Sequence, residues 1–291
     1  MKNPVPRLAA VHDLSCFGRA SLAVVTPILS TLGVQVCPLP TAILSTHTGG
    51  FTDYHFFDFT EHMEGIIEHW RKLELSFSAT YSGFLGSPRQ VDMVSNFVAD
   101  FADEDHLFVV DPVLGDNGST YGPMGPEMVL EMKRLVSQAD VITPNFTEAC
   151  LLLDREYQRE LYPEQIKDWI RDLAELGPKQ VVVTSVPNGL DEKRTASVAF
   201  DREDGRFWKM ECQFTPAYYP GTGDAFASVI VGGLLQGDSL PLALERAVRF
   251  VSVAIRASFG YRSPVQEGVF LERVLDTLRA PVTSSSYEMM E

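Results

Sequence analysis

The sequence predicts an α/β fold in which a mostly parallel sheet lies between two layers of helices, and three observations support this. Short apolar runs such as residues 107–110 and 181–183 end in polar loops, as buried strands do. Segments with a helical spacing of apolar residues follow several of these runs, for example residues 88–101. Strands that alternate with helices form parallel βαβ units, which place helices on both faces of the sheet.

The predicted elements follow one another along the whole chain. Apolar runs predict strands at residues 8–11, 34–39, 79–83, 107–110, 141–143 and 181–183. Helical spacing predicts helices at residues 20–32, 63–70, 88–101, 166–176, 225–235, 240–258 and 269–278. The first and fourth of these helices stop at Gly33 and Gly177, a residue type that favours helix C-termini.

An antiparallel hairpin is predicted between the sixth strand and the last three helices. Ala196, Val198 and Phe200 alternate with polar residues, and Asp204-Gly205 is a turn signal before a second β run at residues 207–214. No Pro/Gly-rich linker or internal repeat divides the chain. We therefore expect a single domain over residues 1–280 and a flexible tail at residues 281–291, which are small and polar.

The composition excludes several classes of partner. The chain has 291 residues, of which 45% are hydrophobic, so it can bury a core. Its formal net charge of −15 argues against nucleic acid or an anionic membrane as the main partner. The sequence has no signal-peptide core or long apolar run, so we expect a cytoplasmic protein. Neither a zinc site nor a disulfide framework is expected, because the four cysteines are far apart and form no CxxC pair: Cys16, Cys37, Cys150 and Cys212.

The turn formed by residues 220–226 is the most informative local feature. Two glycines flank a threonine, an aspartate follows, and a helix begins: Gly221, Thr222, Gly223 and Asp224. A helix start presents unpaired N–H groups and partial positive charge, so it can hold a phosphate. Asp224 could then accept the proton of an attacking hydroxyl. The alternative is a tight connection whose acid favours the helix dipole. Neither a Walker loop nor a Rossmann glycine fingerprint is present.

Polar segments also follow the other predicted strands, at the edge where open α/β sheets bind ligands. They are His12-Asp13, residues 111–116, residues 143–145 and Thr184-Ser185. Asn145 and Glu148 are three residues apart, which fits either a helix-capping pair or a carboxylate held near Mg²⁺ through water. Asp111 is a second candidate for the metal region, or it starts a turn before Pro112. His12 and His47 either contact substrate or are structural.

The combination of these motifs resembles the ribokinase-like superfamily and, more narrowly, the pyridoxal (vitamin B6) kinases. The matching motifs are residues 221–224 (Gly-Thr-Gly-Asp), 111–116 (Asp-Pro-Val-Leu-Gly-Asp), 143–148 (Thr-Pro-Asn-Phe-Thr-Glu), 45–49 (Ser-Thr-His-Thr-Gly), 82–87 (Ser-Gly-Phe-Leu-Gly-Ser) and 181–185 (Val-Val-Val-Thr-Ser). The resemblance implies a ribokinase-like three-layer α/β/α fold. It also implies ATP-dependent phosphorylation of the 5′-hydroxymethyl group of pyridoxal, pyridoxine or pyridoxamine. Mg²⁺ with ATP, a monovalent cation such as K⁺ and a homodimer are implied as well.

The resemblance assigns roles to individual residues. Asp224 is the implied base, and the backbone N–H groups of Gly221, Thr222 and Gly223 form the implied anion hole. The implied metal region contains Asp111, Thr143 and Glu148. The implied nucleotide site includes Asp111, Asp116, Thr143, Asn145, Glu148, Thr184 and Ser185. The residues expected to face the substrate are His12, Asp13, Ser15, His47, Thr48, Phe84 and Asp224.

The sequence departs from the family pattern in two places. Familiar B6 kinases have Gln-Ser-His at the end of the first strand, whereas this chain has Ala10, Val11 and His12, so Asp13 or Ser15 could supply the missing polar contact. Phe84 stands where tyrosine is common, which keeps the stacking face and loses the hydroxyl. Both changes bear on which vitamer is preferred and leave phosphoryl transfer intact.

Two alternative functions remain at this point. A hydroxymethylpyrimidine kinase belongs to the same superfamily, although its usual opening, Gly-Ser-Asp-x-Ser-Gly-Gly-Ala-Gly, is missing here. A non-catalytic ligand-binding protein would keep the fold without the reaction. The intact Asp224 argues against the second alternative.

Overall fold

The computed structural model describes residues 4–122, 124–158, 160–187, 194–282 and 286–290. The strands are β1 (Arg7–Ser15), β2 (Gln35–Leu44), β3 (Phe56–Asp58), β4 (Ala79–Ser82), β5 (Leu107–Val110), β6 (Gly115–Asp116), β7 (Ser119–Thr120), β8 (Val141–Ile142), β9 (Gln180–Val186), β10 (Arg194–Asp201), β11 (Arg206–Gln213) and β12 (Glu288–Met290). The helices are α1 (Leu22–Thr31), α2 (Thr60–Lys72), α3 (Pro88–Phe101), α4 (Pro126–Val136), α5 (Phe146–Leu152), α6 (Pro163–Glu175), α7 (Thr222–Leu235) and α8 (Leu240–Ser258).

A ten-stranded sheet connects these elements, in the order β12-β11-β10-β9-β8-β5-β4-β1-β2-β3. Its centre, from β2 through β9, is parallel. Strands β3, β10, β11 and β12 pair antiparallel at the two sides, and β6 and β7 form a separate small hairpin. The predicted mostly parallel sheet and the predicted hairpin at β10 and β11 are confirmed.

The three-layer arrangement follows from the alternation of side chains along the buried strands. In β1, Ala9 and Val11 belong to the apolar core that includes residues of α2 through α6. Leu8 and Ala10 point the other way, into the cluster that includes residues of α1 and α7. Both faces of the sheet are therefore covered, as predicted. Among the described residues, every helix falls short of the length and apolar content that a bilayer crossing needs.

Strand β1 is longer than its apolar run predicts. It pairs with β2 up to Ser15, with a register shift between His12 and Leu14. His12, Asp13 and Ser15 consequently lie in the strand rather than in a loop, and all three are buried. The register shift is the kind of local irregularity that redirects side chains at the edge of a site.

Two expectations for the C-terminal part are wrong. Residues 269–278 do not form a helix, because Val274, with φ −131° and ψ −9°, separates two 3₁₀ turns at Leu271–Arg273 and Leu275–Arg279. The apolar residues of this segment are nevertheless buried in the cluster that includes α8. The expected flexible tail includes strand β12, whose residues pair with Phe207–Lys209 of β11. Helix α4 and strand β3 were not predicted.

Gly83, at the end of β4, makes room for the buried His12 ring. A Cβ on Gly83 would lie 2.2 Å from His12 Nδ1, and the His12 ring also packs edge-on against Tyr81 with centroids 4.3 Å apart. We therefore expect Gly83→Ala to lower the free energy of unfolding by about 1–3 kcal/mol or more, as overpacked cores do.

Gly65→Ala, in the exposed middle of α2, is the matched control, because a Cβ there would meet nothing within 4 Å. It should raise stability by about 0.5–1 kcal/mol through helix propensity. Urea unfolding of both variants measures the difference, and equal effects would contradict the packing around His12.

Candidate active site

The carboxyl ends of the parallel strands converge on one edge of the sheet, and backbone hydrogen bonds continue from strand to strand beyond them. The Gly83 amide donates to Val11 O at 3.0 Å, and the Asp111 amide to Ser82 O at 2.8 Å. Further along, Asn145 and Thr184 form an isolated parallel bridge. The structure thus brings the polar segments that follow these strands onto one rim, with the start of α7 beside them.

The glycine turn has two glycines with different reasons to lack a side chain. Gly221 has φ +79°, and a Cβ there would lie 2.0 Å from the carbonyl oxygen of Arg19. Gly223 is exposed, and a Cβ there would meet no atom within 4 Å. The Thr222 hydroxyl donates to Tyr219 O at 3.0 Å, which holds its side chain against the preceding loop. Gly221 therefore shapes the turn, and Gly223 leaves open space in front of the helix start.

Asp224 lies in the first turn of α7, where one carboxylate oxygen is held by the protein. The Ser21 amide donates to Asp224 Oδ2 at 2.8 Å. Burial raises the pKa of Asp224 to about 7, the Ser21 hydrogen bond opposes this rise, and the negative charge of Asp13 adds to it. No described residue provides a hydrogen bond to Oδ1, so this oxygen is available to a ligand.

Asp111 and Glu148 extend the acidic character of the rim. Burial and the nearby charge of Asp224 raise the pKa of Asp111 to about 8, while the Thr143 hydroxyl opposes the rise. Burial and the charge of Asp111 raise the pKa of Glu148 well above its usual range. Three carboxyl groups thus interact unfavourably in a poorly solvated place, which a bound cation would relieve.

Glu148 also caps α5. Its carboxylate accepts hydrogen bonds from the amides of Asn145 at 2.8 Å and Leu114 at 3.1 Å, and Asn145 Oδ1 accepts from the Glu148 amide at 3.0 Å. The capping interpretation of this pair is therefore confirmed. The Asn145 side-chain amide donates to Gly115 O at 2.8 Å, so its polar atoms bind protein groups at the rim.

The donor set fits Mg²⁺ in a shared rather than a fully enclosed site. Within the described residues there is no group of three or more His, Cys, Asp and Glu side chains able to hold a metal by themselves. Mg²⁺ typically binds one or two carboxylates and completes its coordination with water and phosphate oxygens. Asp111 is suited to that role, and Glu148, whose oxygens already accept backbone bonds, is suited to an outer position.

Tyr218 marks the opposite wall of the rim and was not predicted as a site residue. Its hydroxyl donates to Asp116, which opposes the rise in pKa that burial causes in that carboxyl group. Tyr218 and the glycine turn border a groove of about 510 Å³ that also includes Gly49, Phe259 and Gln266. Thr184 is partly buried, and Ser185 is exposed with φ +55°. The position of Tyr218 just before the glycine turn was the available sequence signal.

The predicted substrate-facing residues divide into two groups. Thr48 is exposed and Phe84 is partly exposed, so both can meet a ligand. His47 is buried and bound on both ring nitrogens, to Gln266 O at 2.7 Å and to the Gly49 amide at 3.1 Å. His12 is fully buried, and burial lowers its pKa to about 3.

Asp13 and Ser15 belong to the buried group. The Ser15 hydroxyl donates to Asp13 Oδ2 at 3.1 Å, and the Ser21 hydroxyl donates to Asp13 Oδ1 at 2.5 Å. The structure gives both residues protein partners instead of the open surface that contact with a pyridine ring requires. Sequence reasoning missed Ser21, because a serine before an apolar helix indicates only an N-cap.

Comparisons with known proteins agree with this geometry. The profile of the family described as Phosphomethylpyrimidine kinase matches residues 28–267. The chain belongs to this family. A relative named pyridoxal kinase PdxY, from Paraburkholderia phymatum, is 30% identical over 269 residues, which cover 89% of each chain. The chain is therefore a phosphotransferase of a kind that acts on an alcohol group, and its fold is ribokinase-like.

Two solved structures are also similar. A Bacteroides thetaiotaomicron protein, provisionally named a phosphomethylpyrimidine kinase and crystallised with pyridoxal, is 51% identical and superposes with a TM-score of 0.96 over 98% of this chain and 100% of that one. Pyridoxal kinase from Lactobacillus plantarum is 30% identical, with a TM-score of 0.85 over 95% of this chain and 97% of that one.

The raised pKa of Asp111 makes the stability of this kinase pH-dependent. The folded value of about 8 exceeds the usual 3.8, so the folded state binds this proton more tightly, and stability falls as the pH rises between these values. Asp111→Asn removes the buried charge. We expect its melting temperature, without ligands, to exceed that of the native protein by at least about 2 °C at alkaline pH.

The gain from Asp111→Asn should shrink toward about pH 5, where the native carboxyl group is largely protonated. The exposed Glu104→Gln serves as control and should show no such trend. Calorimetric scans across this pH range measure both variants. A gain that is constant with pH would contradict the assignment of a proton to Asp111.

Proposed function

We propose that this protein transfers the γ-phosphoryl group of ATP to the 5′-hydroxymethyl group of a vitamin B6 vitamer. The observation that carries the proposal is the arrangement of Asp224. Its Oδ2 is fixed by the Ser21 amide at 2.8 Å, its Oδ1 is available, and the open space at Gly223 adjoins it at the start of α7. A hydroxyl placed at Oδ1 would face a phosphoryl group placed at the helix start.

Asp224 is suited to the role of base. Its pKa of about 7 means that near neutral pH it is ionised in a large fraction of molecules yet basic enough to take a proton in the transition state. The base withdraws the proton from the hydroxymethyl group as the oxygen attacks the γ-phosphorus. Phosphoryl transfer depends mainly on positioning and charge stabilisation, so a fixed carboxylate supplies what the reaction needs.

The glycine turn is suited to hold the phosphoryl group. The N–H groups of Gly221, Thr222 and Gly223 begin helix α7, where unpaired donors and the helix dipole favour negative charge. Because Gly223 has no side chain, the space in front of these donors stays open. Such preorganised donors stabilise charge that develops in the transition state.

Asp111, Thr143 and Glu148 would hold the cations that accompany ATP. When bound, Mg²⁺ neutralises phosphate charge and orients the γ-phosphoryl group. The mutual repulsion that raises the pKa values of Asp111 and Glu148 supports a cation at this place. A monovalent ion such as K⁺ near Thr143 is part of the same proposal.

Substrate selection would rest on Thr48 and Phe84, the predicted contacts that keep accessible surface. The Phe84 ring can cover a planar heterocycle, and its carbonyl is fixed by a hydrogen bond from the Thr41 hydroxyl at 2.9 Å. Pyridoxal in crystals of the Bacteroides protein supports a B6 vitamer as the acceptor. The names of the Paraburkholderia and Lactobacillus relatives support the same class.

A hydroxymethylpyrimidine is the second candidate acceptor. It is favoured by the family description and by the provisional name of the Bacteroides protein. Such a substrate also offers a hydroxymethyl group on a planar ring, so Asp224 and the glycine turn could serve it without change. The two candidates therefore differ in the ring that is recognised, not in the phosphoryl-transfer chemistry.

A turnover assay with Mg·ATP and each acceptor separates the candidates. We expect ADP release and formation of the 5′-phosphate with at least one of pyridoxal, pyridoxine and pyridoxamine, with a higher kcat/KM than for hydroxymethylpyrimidine. Mass spectrometry of the product confirms where the phosphate is attached. Turnover of the pyrimidine alone would refute the B6 proposal and leave a kinase.

Asp224→Asn should reduce kcat by about 10²–10⁴-fold, because the amide cannot accept the proton, while calorimetry should show unchanged Mg·ADP binding. In the native protein, kcat/KM should fall as the pH drops below about 7, where the carboxylate becomes protonated. Exposed Asp276→Asn is the matched control and should keep native turnover. Near-native turnover by Asp224→Asn would show that another group is the base.

A further inference from the structure

Ser21 has an unusual backbone that the phosphoryl-transfer chemistry leaves unexplained. Its φ of 52° and ψ of −133° lie outside the regions that a residue with a side chain favours. Strain of this kind persists only where the surroundings impose it, and it is often associated with functional sites. Ser21 is 8% exposed and immediately precedes helix α1.

Each polar group of Ser21 has a separate partner. Its amide donates to Asp224 Oδ2, its hydroxyl donates to Asp13 Oδ1, and its carbonyl accepts from the amides of Val24 and Val25 at 2.8 and 2.9 Å. A serine at this position ordinarily caps its own helix through its side chain. Here the side chain makes no capping bond and reaches Asp13 instead.

Asp13 is fixed in turn by the first strand. It lies within the register shift between His12 and Leu14, it is 6% exposed, and the Ser15 hydroxyl donates to its other oxygen. The strand is central in the sheet, because it pairs with β2 on one side and β4 on the other. The position of the Ser21 hydroxyl is therefore set by a rigid element.

The residues before Ser21 press against the glycine turn from the same side. The carbonyl oxygen of Arg19 would lie 2.0 Å from a Cβ on Gly221 and 2.8 Å from one on Gly268. The Arg19 amide donates to Glu267 O at 3.1 Å. The segment between β1 and α1 is thus wedged against the turn that leads to Asp224.

We propose that Asp13 and Ser21 are positioning residues for Asp224: Asp13 holds the Ser21 hydroxyl, and the Ser21 amide fixes Asp224 Oδ2 so that Oδ1 faces the acceptor hydroxyl. This inference rests on the proposed role of Asp224 as the base. It replaces the expected contact of Asp13 with the substrate ring. The strained backbone of Ser21 follows from the need to direct its amide and its hydroxyl to different partners.

Four variants test the proposal. Asp13→Ala and Ser21→Ala each remove the bond between the two side chains, and Asp13→Asn keeps an acceptor oxygen while removing the charge. Ser21→Gly also removes the hydroxyl but adopts a positive φ without strain, so the fold should be kept. Thr80→Val is the control, because it removes another buried hydroxyl of the central sheet, which contacts His106 Nε2 at 3.0 Å.

We expect Asp13→Ala, Ser21→Ala and Ser21→Gly to lose about 10- to 100-fold in kcat, as misplaced catalytic groups do. KM for both substrates and the Kd for Mg·ADP should stay within about threefold, because these residues are placed to act on Asp224 rather than on a ligand. Asp13→Asn should recover most of the lost kcat, and Thr80→Val should retain native turnover. If Ser21→Gly and Asp13→Ala keep kcat within twofold of the native value, the proposal is overturned.

A crystal structure of Asp13→Ala gives a readout that does not depend on activity. The distance from the Ser21 amide to Asp224 Oδ2, 2.8 Å in the native protein, should open beyond about 3.5 Å. An unchanged distance would refute the positioning role. Turnover of hydroxymethylpyrimidine alone would refute only the proposed substrate, because the same variants can then be compared on that acceptor.

Discussion

The hydrogen bond from the Ser21 amide to Asp224 joins parts of the chain that are 203 residues apart, and the architecture of the cleft depends on it. It connects the junction of β1 and α1 with the first turn of α7. The close approach of Arg19 to Gly221 reinforces the same junction. The helix that presents the anion-binding N–H groups is thereby fixed to the strand at the centre of the sheet.

The second constraint is the burial of acidic groups at one edge of the sheet. Asp111, Glu148 and Asp224 all have raised pKa values, and the charges of neighbouring carboxylates add to the effect of burial. Carboxylates held in this way destabilise the folded protein when they are ionised. Such an arrangement is suited to a site that receives Mg²⁺ and phosphates, because the ligands supply the missing positive charge and solvation. Backbone donors to Glu148 and Asp224 compensate for part of the cost.

Most of the fold was predictable because it depends on local periodicity. Helices α3 and α8 and strand β5 have the bounds that the apolar pattern predicts. The failures have identifiable causes. The segment after α8 buries its apolar residues through 3₁₀ turns whose spacing resembles that of a helix. Strand β12 forms only because the exposed edge of β11 accepts it, and no local pattern records a partner so distant in sequence.

The sequence alone determined the motifs, the order of the parallel strands' polar ends and the residue types of the kinase site, including Asp224, Asp111 and Glu148. These follow from short-range patterns and from the rule that parallel strands end on one edge. Only the tertiary structure decided which polar residues face the cleft. It buries His12, Asp13 and Ser15, leaves Thr48 accessible, and brings Ser21 to Asp224. The physical reason is that burial and pairing are set by contacts between distant segments, which neither composition nor spacing encodes.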